Sequence, residues 1–346
     1  MARDPHLHIP AETLRDQKCG AGTSPQNGKI SRLSKYKAID LTTSNDIPLA
    51  SHPVNRAAHY RTDDMWLEAA MNSEDVLVFL MQAGVPLVSM NGENLVWLGP
   101  EFARLAPLEE RVFMGLDLAG TPIFAISLGA GFQLEGSLLQ GAGEFTEMRA
   151  AASRLNPMEA NLAATARSIL EWHRTHPFCS RCGAESAPAE AGWKRVCATC
   201  GAEHFPRTDP VAIMLAVKED QCLLGRQASW PAGFWSALAG FVEPGETVEQ
   251  AAARELKEEA GIIADPAKAE YLFCQPWPFP SSLMIGIILE AETMDISVEQ
   301  DELEAARWIT RAEARQVLAG THPEIYAPPP MAVAHHILKT WAERDA

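Results

Sequence analysis

Apolar positions along this chain follow two rhythms. From about His52 to Leu155 they form short blocks: Asp75-Val-Leu-Val-Phe-Leu80, Leu95-Val-Trp-Leu98 and the long run from Val112 to Ile126, in which Ala119-Gly120 predicts a hairpin turn. That pattern predicts a β-rich scaffold domain over 51–155 with no motif that carries chemistry. Residues 1–50, which include Gly20-Ala-Gly-Thr-Ser-Pro-Gln-Asn-Gly28, show little apolar periodicity and predict a mobile extension. Its basic piece, Lys29 to Lys37, suits a transit peptide, but Asp4, Glu12 and Asp16 argue against one.

The rhythm changes at Asn156-Pro157, which opens a helix with Glu159 at its third position and an apolar stripe of Met158, Leu162, Ala166, Ile169 and Leu170. This predicts a connector helix over 156–176. Further on, Val211 to Val217 reads as a buried strand, Gln221 to Arg226 as its hairpin partner and Phe234 to Val242 as another strand. Cys274-Gln-Pro-Trp-Pro-Phe-Pro-Ser-Ser-Leu-Met284 is too proline-rich for a central strand, and reads as a packing plug or as a base-stacking or interface platform. Met331 to Ile337 predicts a C-terminal helix.

One helix carries the chemistry. Thr247 and Gln250 form a capping-box pair, Gly261 supplies a left-handed stop, and the span predicted is Val248 to Ala260. Val248, Ala252 and Leu256 share one face; Glu255, Glu258 and Glu259 share another. Like charges at such spacing cost roughly 0.2–0.5 kcal/mol per pair, so the cluster makes best sense around a hard divalent cation such as Mg²⁺. The plainer alternative is a solvated acidic helix neutralised by Arg254 and Lys257.

Cys179-Ser-Arg-Cys182-Gly and Cys197-Ala-Thr-Cys200-Gly supply two paired-thiolate knuckles, the sequence form of a closed zinc ribbon over 177–204. Redox pairs or a metal-free ribbon are the alternatives; His173, His176 and His204 read as structural or solvated. Composition narrows the partners. With 29 Lys and Arg against 45 Asp and Glu, the net charge of −16 argues against general nucleic-acid or anionic-membrane binding. No run approaches 18 apolar residues and no secretory segment begins the chain, so the expected location is cytoplasmic, without membrane contact.

The run from Gly240 to Ile262 satisfies Gly-x5-Glu-x7-Arg-Glu-apolar-x-Glu-Glu-x-Gly-apolar through Gly240, Glu246, Arg254, Glu255, Leu256, Glu258, Glu259, Gly261 and Ile262. It resembles the Nudix box. With the ribbon before it and Gln-Pro-Trp-Pro-Phe-Pro-x-Ser after it, the chain closely resembles the NADH pyrophosphatase family over about 55–340. Cys274 departs from the serine usual before Gln275.

The resemblance implies an α+β protein: an α/β/α sandwich with a mixed sheet over 205–346, preceded by the ribbon and the β-rich domain. It implies hydrolysis of NAD(H) to NMN(H) and AMP with two or three Mg²⁺ or Mn²⁺ ions. Ala239 (through its carbonyl), Glu255, Glu258, Glu259 and Glu302 would hold them. Arg254 would pair with Glu246, and one carboxylate would help deprotonate water. Zn²⁺ would sit on Cys179, Cys182, Cys197 and Cys200. Substrate would meet Phe205, Phe241, Gln275, Pro276, Trp277, Pro278, Phe279, Pro280, Ser281, Ser282 and Ala334, in a homodimer whose pockets draw on both subunits. Decapping of NAD-capped RNA, broad-specificity Nudix hydrolysis and a regulatory Nudix-fold binding module are the alternatives.

Overall fold

A computed structural model describes residues 47–51, 54–105 and 110–344, all within one compact unit. The extension expected over 1–50 lies outside the described residues up to 46. Its last part is different: Ile47 and Leu49 are buried in apolar clusters, where their side chains are removed from water.

Helix α1 (Asp64–Met71) precedes strands β1 (Leu77–Gln82), β2 (Val85–Ser89), β3 (Arg111–Leu116), β4 (Pro122–Leu128) and β5 (Gly143–Phe145). The expected hairpin is β3–β4, its turn fixed by Asp117, whose carboxylate accepts from the backbone N–H groups of Ala119 and Thr121. Leu95 and Leu98 make isolated bridges to Val88 and Val78 and not a full strand. Helices α2 (Met148–Ala152) and α3 (Pro157–Thr175) follow, α3 capped by Asn156 as its sequence predicts.

The ribbon carries β6 (Ala187–Ala189), β7 (Lys194–Val196) and β8 (Glu203–His204). A second large sheet then forms from β9 (Asp209–Lys218), β10 (Gln221–Arg226), β11 (Leu238–Phe241), β12 (Glu270–Trp277), β13 (Ser282–Glu290) and β14 (Ala305–Thr310). Helix α4 (Val248–Ala260) leaves β11, while α5 (Arg311–Leu318) and α6 (Val333–Glu343) end the fold. Helix α6 starts later and runs further than expected, since Ala332 still has extended backbone.

The two sheets share one topology. The first has the order β3-β4-β1-β2-β5 and the second β12-β13-β9-β10-β14. In each, the one parallel pair, β1 with β4 or β9 with β13, is flanked by antiparallel neighbours. Leu98 bridges Val78 as β11 pairs with β9. Each sheet is followed by two helices.

The copies differ on one face. In the second, α4 packs Leu256 and Ala252 against Met214 and Ile287, while α6 covers the opposite face through Ile337 and Leu338. In the first, α3 covers the face bearing Phe79, Met81 and Ile123, and Ala70 and Met71 of α1 meet Val78, Leu80 and Phe124 on the other. Where the second sheet grows α4, the first has a short 3-10 turn, Pro100–Leu105. A helix from upstream takes the place of the acidic one.

Edge contacts join the parts. The ribbon turn lies on edge strand β3, where the Trp193 indole N–H donates to the Phe113 carbonyl at 2.7 Å and the Arg61 guanidinium stacks 3.8 Å over its ring. The proline-rich segment closes edge strand β12 and packs Trp277 and Phe279 into the first sheet's core. Arg167 of α3 donates to the carbonyls of Gly84 and Pro278, at 2.6 and 2.9 Å.

Because charged hydrogen bonds are worth roughly 1.5–3 kcal/mol each and Arg167 ties the two sheets together, Arg167→Ala should cost about 2–3 kcal/mol of stability. Chemical denaturation checks this; an unchanged midpoint would show that the sheets dock without it.

Candidate active site and metal centres

Strand β11 delivers the chain to the acidic helix at Gly240. A Cβ at that position would lie 1.8 Å from the Glu255 carboxyl carbon, so only glycine leaves room for that side chain beneath the strand. Helix α4 begins with the reciprocal Thr247–Gln250 cap and ends at Gly261 with φ 71°, matching its predicted span.

Arg254 organises the loop. Its Nε and Nη2 donate to the two Glu246 carboxylate oxygens at 2.7 and 2.9 Å, Nη1 donates to Glu255 and Glu258 at 2.9 and 3.0 Å, and Nη2 also reaches the Phe241 carbonyl. Those bonds from Arg254 hold Glu246 down at about 2, so it stays ionised.

Ligand oxygens of Glu255, Glu259 and Glu302 lie within 4.8 Å of one another and could hold a metal ion. Glu302 reaches the helix because its loop is pinned there: the Glu299 N–H donates to the Glu259 carbonyl at 3.0 Å, and the Glu302 N–H to the Glu299 carbonyl. Glu258, expected as a ligand, stands outside this trio and is paired with Arg254.

Burial first, then the charges of Glu255 and Glu302, pushes the Glu259 carboxyl up to about 8; burial also raises Glu255. Three carboxyls gathered around one buried member, Glu259, with Glu255 partly buried and Glu302 exposed, suit a hard dication, which reverses that cost.

The trio sits where two cavities meet. A polar cleft of about 780 Å³ contains Phe241, Arg254, Glu255, Glu258, Glu259 and Glu302. An apolar pocket of about 480 Å³ shares Ala239, Glu259 and Leu303 with it and continues past Trp230, Trp277 and Ala334. Gln275 lines this pocket fully buried, with its amide committed to the Pro48 and Met331 carbonyls and the Val333 N–H.

Other expected contacts lie elsewhere. Pro276, Pro278, Phe279, Pro280, Ser281 and Ser282 are not among the residues lining either cavity, and neither is Phe205, which is 63% exposed. Phe279 faces the first core, and Ser281 donates to Asp209. Sequence reading missed Arg149, Trp230 and Met331, which line the apolar pocket. Arg149 comes from α2 and stacks 3.9 Å over Phe279, a placement that only the docking of the two sheets creates.

The four ribbon sulfurs also form a group able to hold metal. Cys179 and Cys200 Sγ atoms are 3.6 Å apart, as are those of Cys182 and Cys197. A tetrahedral zinc with bonds of about 2.3 Å separates sulfurs by roughly 3.8 Å, whereas a disulfide requires about 2.05 Å, so the spacing fits the metal. Backbone N–H donation, first from Cys200, pulls the Cys197 thiol down to about 6, whereas the neighbouring cysteines push the Cys182 thiol up, so crowding opposes ionisation of all four sulfurs unless a cation shares them.

Comparison with known proteins agrees with this geometry. Family models match as NUDIX domain over 206–328, NADH pyrophosphatase zinc ribbon domain over 174–205, and NADH pyrophosphatase-like rudimentary NUDIX domain over 76–172. The last describes the sheet whose topology repeats the catalytic one. The Mycobacterium bovis NAD-capped RNA hydrolase NudC is 33% identical over 320 residues, covering 90% of this chain and 99% of its own. Human NAD-capped RNA hydrolase NUDT12 is 34% identical over 334 residues (83% and 71%), and human mitochondrial NAD(P)H pyrophosphatase NUDT13 is 37% identical over 259 (69% and 73%). The chain belongs to the NADH pyrophosphatase family of Nudix hydrolases.

Proposed function

We propose that this protein hydrolyses the pyrophosphate bond of NADH or NAD⁺, giving NMNH or NMN and AMP. The observation that carries the reading is the carboxylate trio at the junction of a polar cleft and an apolar, aromatic-walled pocket. A dinucleotide has that shape: an anionic bridge between two sugar-bound bases.

Glu255, Glu259 and Glu302, with the Ala239 carbonyl beside them, would hold Mg²⁺ or Mn²⁺. Bound dications supply charge neutralisation at the phosphoryl oxygens and acidify a water. The protein's own contribution is placement. Arg254 and Glu246 fix the loop against the helix, Gly240 keeps Glu255 beneath the strand, and a carboxylate of the trio takes the proton from the attacking water. Glu258, at the cleft edge, would serve an additional ion after leaving Arg254. Phe241 offers an exposed ring beside the cleft. Phe205 lies off both cavities, so its expected substrate contact would be made with a neighbouring copy's pocket, in keeping with a homodimer.

An NAD-capped RNA presents the same bond. Relatives bearing that name favour it as a second substrate, although a net charge of −16 offers little for the RNA backbone. Turnover of NADH, NAD⁺, FAD and capped RNA with Mg²⁺ or Mn²⁺, with products identified by mass, tests the proposal. Equimolar NMNH and AMP from NADH is the expected result; no cleavage of any member would refute it.

Glu259→Gln should lower kcat at least ~10²-fold, about 2.7 kcal/mol, while the protein folds. A carboxyl whose folded pKa is raised from 4.5 to about 8 loses stability as pH climbs through that window. Metal-free parent protein should therefore lose stability between those pH values, and the Gln variant, which keeps only the raised Glu255 carboxyl, should lose less; near-native turnover by the variant would exclude Glu259 from the chemistry.

Purified protein should contain about one Zn²⁺ per chain, and Cys197→Ser should lose zinc and thermal stability together. Metal analysis beside a melting curve decides it.

A further inference from the structure

The loop joining β10 to β11 borders the apolar pocket; its sequence predicts no role for 227–233, and Phe234 to Ala237, expected as strand, belong to this loop because β11 begins at Leu238. We propose that its Trp230 is the specificity-determining residue of that pocket, the surface on which one planar base of the substrate stacks, and that Arg226 is the positioning residue that holds it. This rests on the dinucleotide reading above.

Trp230 is half-buried on the pocket wall, and Phe234 meets it edge to face, with ring centroids 5.1 Å apart at 83°. Such packing fixes the ring's orientation before any ligand arrives. The backbone is fixed as well. Arg226 donates through Nη2 to the Trp230 carbonyl at 3.3 Å and through Nη1 to the Pro231 and Phe234 carbonyls at 3.0 and 3.5 Å. Its Nε pairs with Glu304 at 2.5 Å, and the Glu304 N–H returns to the Arg226 carbonyl at 2.8 Å. Glu304 shares its loop with Glu302, so one guanidinium ties the pocket wall to the metal-binding loop.

On the far side, the Tyr326 N–H donates to the Gly233 carbonyl at 2.7 Å. Gly233 has φ +81°, and a Cβ there would lie 2.7 Å from the Tyr326 ring. The loop is thus a fixed wall.

Chemistry selects the occupant. The pocket reaches Glu259 and Ala239, so a group inside it can be joined to a phosphate at the trio. Its walls are mostly aromatic and aliphatic, and the buried Gln275 amide is already consumed by backbone groups. Stacking and shape therefore discriminate here more than hydrogen bonding. A flat heterocycle fits these walls, and Arg149, the one cation among the described residues lining the pocket, is stacked on Phe279.

Equilibrium binding of AMP and of NMN, each with Mg²⁺, to parent, Trp230→Ala and Trp230→Phe protein tests this. Stacking is worth about 1–3 kcal/mol, so Trp230→Ala should weaken one mononucleotide about ten-fold while the other stays within about two-fold, and Trp230→Phe should restore most of the loss. Loss for AMP assigns adenine to the pocket, and loss for NMN assigns nicotinamide. Arg226→Lys, a point charge that cannot make all four contacts, should raise KM for NADH by a larger factor than it lowers kcat. Equal losses for both mononucleotides, no loss for either, or no binding of either by the parent would overturn the proposal. Parent protein that binds a mononucleotide through Trp230 yet leaves NADH intact would sink the dinucleotide reading and leave the base-stacking wall standing.

Discussion

The site depends on one guanidinium. Arg254 projects from the acidic helix and satisfies Glu246, Glu255, Glu258 and the Phe241 carbonyl, so loop, strand end and helix hold a single arrangement. Without a planar cation at this point, the carboxylates of Glu246, Glu255 and Glu258 would repel one another. Arg254 neutralises the outer part of the cluster only. Glu259 and Glu302 lie beyond it, and the burial of Glu259 makes its ionisation costly. The fold thereby keeps an incompletely compensated set of oxygens, the condition under which a dication binds.

The duplicated sheet shows how the same topology can serve scaffold and site. Both sheets bury one face beneath a helix that follows the final strand. On the other face the second sheet bears α4, with carboxylates on its outer side, whereas the first bears α1, supplied from upstream. The first sheet's remaining contributions are contacts: Arg149 beside the apolar pocket, Arg167 on the proline-rich segment and β3 beneath the ribbon.

Legibility in the sequence followed locality. The α4 span, its cap and the cysteine knuckles depend on residues close in the chain, whose spacing is set by helical or turn geometry, and the structure reproduces them; the Arg254–Glu246 ion pair, which only the family resemblance implied, is present as well. The shared topology of the two sheets was hidden because 51–155 lacks a box, and alternation marks strands without stating which strands pair. Pocket membership was hidden for the same reason. Trp277 and Phe279 both pack against the first core, yet only Trp277 also lines the pocket, a difference set by docking between elements far apart in sequence. Glu258 shares a helical-wheel face with Glu255 and Glu259, yet only those two reach Glu302; Glu258, also bonded to Arg254, stays more exposed at the edge of the cleft.

Glu255, Glu259 and Glu302 would form a divalent-cation site whose buried member gives up its proton when metal binds. Calorimetric titration of metal-free protein with Mn²⁺ at pH 7, in buffers of differing ionisation enthalpy, measures the protons released per ion. With the Glu259 carboxyl near 8, binding should release close to one proton at pH 7 and tighten as pH rises towards 9. Binding that releases no proton and has the same affinity across that range would contradict it.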